Sequence, residues 1–317
     1  MKKIFIVLIV LVFYTPSVLA VEKFKFRYNL HENLPKKWVT EFKNIMNIMQ
    51  EVMPINGNTN DWVTINGNTN DWVMREMNYS RLGNESPMNI YAWLNTIKDP
   101  FPEFKKNMNG SSINSDGTTI WMQLKVYKQD FGKNRSGSYA TVVHEYFHIH
   151  QQALSKYIGT LDKIIAKWLV EGGATVIGEI YARQYYGKDS LKSNIQDRGS
   201  WKIRKVTKEP HLYEKYKTSP QKGYDSNYAG SAFMVLALVN ELKKNNISEE
   251  EAFELVFREI WVQRSKQPNG SQGWKDAFEK SFGMTVEDFY QKLSKYKRKD
   301  LKKILPSKTL KIQDIFS

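Results

Sequence analysis

Residues 144–148 read His-Glu-Tyr-Phe-His, and that spacing leaves the chain little freedom there. Two histidines at i and i+4 of a helix lie on one face, one turn apart. From that face both imidazoles reach a single metal ion. Glu145 follows the first histidine directly, where it can sit beside a metal-activated water and take its proton. The segment must therefore be helical, and other elements must bring the remaining site residues to it.

The surrounding pattern agrees. Tyr139, Val142, Val143, Tyr146, Phe147 and His150 recur at helical spacing on one flank, while His144, His148 and Gln151 line the neighbouring one. Ser136 or Ser138 is placed to cap this helix. His150 falls on the apolar flank, away from the shared face, and reads as a packing histidine rather than a ligand. A catalytic tetrahedral site needs a third protein ligand. Glu171, in Lys167-Trp168-Leu169-Val170-Glu171-Gly172-Gly173-Ala174, follows His148 by 171 − 148 = 23 positions. That distance leaves room for a turn and a second helix, expected over about 162–186, to pack back on the first. Glycine inside a helix costs about 1 kcal/mol relative to alanine, so Gly172, Gly173 and Gly178 point to a packing demand.

Upstream, Phe24–Tyr28 alternates apolar and basic as a half-buried strand does. A helix opened by Pro35 and ended by Pro54 carries Trp38, Phe42, Ile45, Met46, Met49 and Val52 as its core stripe. The segment Ile55–Val63 recurs unchanged as Ile65–Val73, a tandem duplication whose Asn/Gly content marks an exposed loop or hairpin. It lacks the glycine and glutamate of a calcium loop. Residues 88–94 suggest another strand and 109–112 a loop, and Thr118–Tyr127 alternates best of all.

Downstream, residues 188–225 are polar and basic with weak pattern, expected to be partly helical and to flank a cleft. Helices then follow: one is expected to bury Tyr228, Phe233, Leu236, Val239 and Leu242, the next opens at Ser248-Glu249-Glu250-Glu251, and a short one is closed by Gly283. A last long helix starts at Thr285 and runs into a lysine-dense end.

Composition bounds the rest. With 317 residues, 41% hydrophobic and 25% charged, the chain suits one large or two small globular domains. Lys2, Lys3, the apolar run Ile4–Tyr14 and Val18-Leu19-Ala20 read as a signal peptide over residues 1–20, cleaved after Ala20. That implies a secreted or periplasmic protein with no transmembrane helix once the signal is removed. Residues 21–138 then form an N-terminal α/β part carrying the 55–73 duplication, and 139–317 a helical part with a basic C-terminal tail. There is no cysteine, which excludes disulfides, a lipidated cysteine and thiolate zinc sites. The formal charge of +14 (47 basic, 33 acidic), or +12 without Lys2 and Lys3, fits a solvated surface or attraction to an anionic envelope through the tail. Nothing resembles a nucleic-acid module, and no nucleic-acid partner is expected.

H-E-x-x-H followed by W-x-x-E-G resembles the gluzincin metallopeptidases, nearest the peptidase-MA-like group of bacterial secreted proteins. His-Glu-x-Phe-His is also similar to the glycyl aminopeptidase branch. Tyr228 heading a small-residue helix and Phe282-Gly283-Met284-Thr285 extend the likeness over roughly residues 90–296, strongest over 139–186. The resemblance implies an α+β, zincin-like fold, with an edge strand of a small mixed sheet over the active-site helix and a mainly helical C-terminal subdomain. It implies one Zn2+ per chain on His144, His148 and Glu171, with Glu145 as general base and proton shuttle acting on a peptide or protein substrate. It also makes Thr118–Tyr127 the strand on whose edge substrate backbone adds.

The oxyanion donor by family position is Tyr228, with His211 and Tyr224 as rivals. His31 near the mature start reads as incidental. No G-x-M-E-N segment is present, which favours an endopeptidase over an aminopeptidase. Position 175 is Thr where thermolysin-like enzymes carry an acidic residue, leaving Glu179 as a distant candidate to orient the histidines. The alternative function is a non-catalytic zincin-fold or basic envelope-binding protein.

Overall fold

The computed structural model describes residues 26–55, 63–65, 74–76, 88–96, 100–101, 111–115, 120–127, 137–158, 161–197, 205–215, 226–268 and 271–317. The expected signal peptide, Tyr224 and Ser136 lie outside these residues. The architecture is mixed α+β. Strands β1 (Phe26–Leu30), β4 (Met88–Leu94), β5 (Ser112–Ser115) and β6 (Ile120–Val126) form a four-stranded sheet in the order β1-β4-β6-β5. β1, β4 and β6 run parallel, and β5 is antiparallel to β6 with Ser112 opposite Gln123 and Asn114 opposite Trp121.

That order corrects one expectation. The strand expected over Thr118–Tyr127 exists as β6, but it lies inside the sheet between β4 and β5 rather than at its edge. Its alternation matches the face read from sequence: Met122, Leu124 and Val126 are buried in the core. Among the described residues the edges are β1 and, beside β6, β5, the latter in a stretch expected to begin as loop because Ser-Ile-Asn-Ser carries a single apolar side chain and no detectable period.

β2 (Val63–Ile65), where the two copies of the repeat join, and β3 (Met74–Glu76), just after the second copy, form an antiparallel pair with Val63 opposite Glu76 and Ile65 opposite Met74. This agrees with a hairpin reading, although residues 66–73 lie outside the described part. β2 also pairs in parallel with the short strand β7 (Tyr157–Ile158), just after the motif helix.

Helix α1 (Lys36–Val52) buries Trp38, Phe42, Ile45, Met46, Met49 and Val52, the stripe read from sequence. The motif helix α2 (Gly137–Ser155) packs between α1 and the sheet on one side and α3 (Lys167–Tyr186) on another. Ser138 falls inside α2, so it does not cap it. The Tyr146 hydroxyl donates to the Met53 carbonyl at 2.9 Å and ties the end of α1 to the motif helix. After a 3₁₀ turn at Leu161–Lys163, α3 runs to a left-handed Gly187, φ 63°. α4 (Leu191–Asp197) is brief, and α5 (Ser226–Lys243) lies against the far face of α3.

The glycines of α3 serve two neighbours. A β-carbon at Gly172 would lie 2.4 Å from the Ser231 carbonyl oxygen of α5, and one at Gly178 would lie 2.8 Å from the Ala140 carbonyl oxygen of α2. Backbone cannot give way at such distances, so helix propensity yields to close packing. Trp168 is buried against Phe278 and Phe289, and its indole donates to the Tyr290 hydroxyl at 3.1 Å.

The chain continues through α6 (Glu249–Glu254), a π-helical stretch at Leu255–Glu259, α7 (Ile260–Ser265), α8 (Ser271–Phe282) and α9 (Val286–Leu293). Ser248 accepts from the Glu251 amide, and Thr285 with Asp288 makes a reciprocal capping box. The last helix is not long. α9 ends at Leu293, and the chain breaks into a 3₁₀ turn, α10 (Leu301–Ile304) and α11 (Ile312–Ile315). Leu301, Ile304, Leu310, Ile312 and Ile315 are buried, so core contacts turn back a segment whose lysine spacing alone would suit a solvated helix. The basic C-terminal stretch is therefore docked: Arg183 of α3 donates to the Pro306 and Leu310 carbonyls, each at 3.1 Å. Among the described residues, no helix is long and apolar enough to cross a membrane.

Candidate metal centre

Three side chains converge where α2 and α3 meet. His144 and His148 stand one turn apart on α2, and α3 brings Glu171 to them. The His144 Nε2 and His148 Nε2 atoms are 3.1 Å apart, and each lies 3.4 Å from Glu171 Oε2. Zinc bonds to nitrogen and oxygen are about 2.0–2.1 Å, so a tetrahedral centre spaces its donors about 3.3 Å apart. The triangle has that size. The donors are two imidazoles and one carboxylate, a set compatible with zinc, and together they can hold a metal ion.

Electrostatics couple the three side chains. Burial opposes ionisation of Glu171, yet hydrogen bonds from His144 and His148 outweigh it and hold the carboxyl well below the usual range. Burial also disfavours a charged His148 ring, but the Glu171 carboxylate, Glu145 and Gln151 overcome it and lift its pKa to about 9. The carboxylate of Glu171 and the two rings are thus strongly coupled, as a donor set facing one point must be.

Glu145 is 6% exposed and faces the same cleft. Burial raises its pKa, against the pull of the His144 and His148 rings. The cleft, about 250 Å³, is walled by Ser111–Asn114 at and beside edge strand β5, by the three ligand candidates and Glu145, and by Leu161, Val170 and the Asp162–Lys167 ion pair. Tyr228, in the first turn of α5, also lines it, 37% exposed, with its ring 5.7 Å from that of His144.

Other expected residues fall elsewhere. His211 is exposed, 3.6 Å from Glu214 and edge-on to Tyr290, outside the cleft. His31 accepts from the Asn33 amide and faces Phe101. His150 is buried among Phe147 and Phe316 and does not join the ligand group. Glu179 accepts from the Ser190 hydroxyl and does not reach the histidines, which removes it as their orienting group. The residue at the outer nitrogen of His148 is Gln151, 2.8 Å away, which sequence placed on the ligand flank without a role. In comparisons with known proteins, no family model and no curated protein matches the chain.

Proposed function

We propose that the chain is a secreted zinc metallopeptidase of the gluzincin kind, built on a zincin-like fold and acting as an endopeptidase. The observation that carries the reading is the His144, His148 and Glu171 donor triangle with a buried carboxylate, Glu145, beside it in one cleft. A bound zinc ion would polarise the scissile carbonyl and acidify water.

The remaining work belongs to the chain's own groups. Glu145, its pKa raised by burial, is suited to take a proton from water and return it to the departing amine. The Tyr228 hydroxyl is the donor offered to the developing oxyanion. Edge strand β5 offers its backbone to an extended substrate, which would add as a further strand. Pockets that enclose a drug-sized ligand hold roughly 300–1,000 Å³. The cleft falls below that range at about 250 Å³, which suits a chain laid across it. A scaffold that merely held a metal would have no use for Glu145, whose burial costs free energy that no structural task offsets.

The test is metal analysis of the purified full chain together with digestion of a peptide library. About one zinc per chain and internal peptide cleavage abolished by a chelator are expected. Absence of bound metal, or cleavage that survives chelation, would overturn the reading.

A further inference from the structure

The two ligand-bearing helices are joined by a side chain to which the metallopeptidase reading gives no task. Gln151 lies on α2, one turn beyond His148, and is fully enclosed at 0% exposed. Its Nε2 donates to the Val170 carbonyl at 3.1 Å, and its Oε1 stands 2.8 Å from His148 Nδ1. A carbonyl has no proton to give, so the amide NH2 must be the group facing Val170, and that turns Oε1 toward the ring. Oε1 cannot donate either. The contact is therefore a hydrogen bond only when His148 Nδ1 carries a proton, and in the neutral ring this leaves the lone pair on Nε2. Nε2 is the atom that faces His144 and Glu171 across 3.1 and 3.4 Å.

The second bond acts on the other helix. Val170 immediately precedes Glu171, so the group that sets the proton position on one ligand also grips the backbone carrying another. Gly173 lies beside this join: a β-carbon there would be tight against Phe147 Cε1 at 3.1 Å and in ordinary contact with Gln151 Nε2 at 3.6 Å.

We propose that Gln151 is the positioning residue of the metal centre, holding His148 with its proton on Nδ1 and fixing the spacing of His148 and Glu171 so that a divalent cation meets a preformed donor set. This rests on the metal-site reading above. Outer hydrogen-bond partners of metal ligands typically contribute 10–100-fold in metal affinity.

The test uses the full chain, zinc, chelator competition and two variants. Gln151→Met removes both hydrogen bonds at similar volume, whereas Gln151→Glu keeps an acceptor for Nδ1–H and loses the bond to Val170. Gln151→Met is expected to bind zinc about 10–100-fold more weakly than wild type, and Gln151→Glu, which keeps the acceptor for Nδ1–H but not the grip on Val170, to fall between the two. Thermal unfolding of both metal-free variants separates this from loss of fold, since both lose the Val170 bond. Equal affinity in wild type and Gln151→Met, or affinity that tracks stability alone in both variants, overturns the proposal. Should Gln151→Met not fold, imidazole ¹⁵N spectra of zinc-loaded wild type decide: a proton on Nδ1 supports the proposal and one on Nε2 overturns it. A wild type that binds no zinc overturns the metal-site reading and this inference together, whereas a zinc-binding wild type with an indifferent Gln151 overturns only the inference.

Discussion

Gly178 of α3 backs onto the carbonyl of Ala140 in α2 so closely that a β-carbon would lie 2.8 Å from its oxygen. The seam between the two ligand-bearing helices is thus set by backbone against backbone. Gly178→Ala gains about 1 kcal/mol in helix propensity but forces the helices apart, at a cost of about 1–3 kcal/mol for an overpacked site. The net expectation is a less stable chain with weaker zinc binding, read by denaturant unfolding and chelator competition. A stabilised variant would show that the seam can open without penalty.

Tyr228 stands in the cleft beside His144. If its hydroxyl meets the oxyanion, Tyr228→Phe lowers kcat by about 10²-fold while KM and bound zinc stay close to wild type. A fall in zinc content instead would assign the hydroxyl to the ligand set.

Much of the metal centre was legible because helical spacing fixes what a short motif can do. His144 and His148 had to share a face, and a third ligand from a returning helix followed from distance and glycine content. The edge strand was not legible. Ser112–Ser115 has too little apolar alternation to announce itself, while β6 announces itself because Met122, Leu124 and Val126 bury one of its faces in the core. Gln151 was visible on the ligand flank, but a neutral amide carries no signal of its partner until α3 is in place. The end of the chain misled for a related reason: lysines dominate the pattern of 292–311, whereas five buried aliphatic residues decide its path.

That path depends on Arg183, whose guanidinium spans the Pro306 and Leu310 carbonyls. Arg183→Lys cannot reproduce a fork that serves two acceptors. Arg183→Met is expected to cost about 1–3 kcal/mol and to expose the C-terminal segment to limited proteolysis. Protease resistance equal to wild type would show that Leu310, Ile312 and Ile315 hold the segment unaided.

His150 gives the fold an acid limit. Both ring nitrogens are buried without a hydrogen-bond partner, and burial, with the nearby Arg258 charge, pulls the pKa down to about 3. The unfolded chain takes up this proton near pH 6.5, so the contribution is complete above about 6.5 and is lost as pH falls toward 3, by up to ~1.4 kcal/mol per pH unit. Metal-free His150→Phe should lose that part of the acid dependence, measured as the difference from metal-free wild type between pH 6.5 and 4. Superimposable acid profiles would contradict it.

The central claim is that Glu145 serves chemistry while His144, His148 and Glu171 serve the metal. The most direct measurement compares zinc-loaded wild type and Glu145→Gln on one internally quenched peptide substrate, with bound zinc quantified in both. Equal zinc content and a loss of about 10²–10⁴-fold in kcat are predicted. A Glu145→Gln variant as active as wild type at equal zinc content would contradict the account.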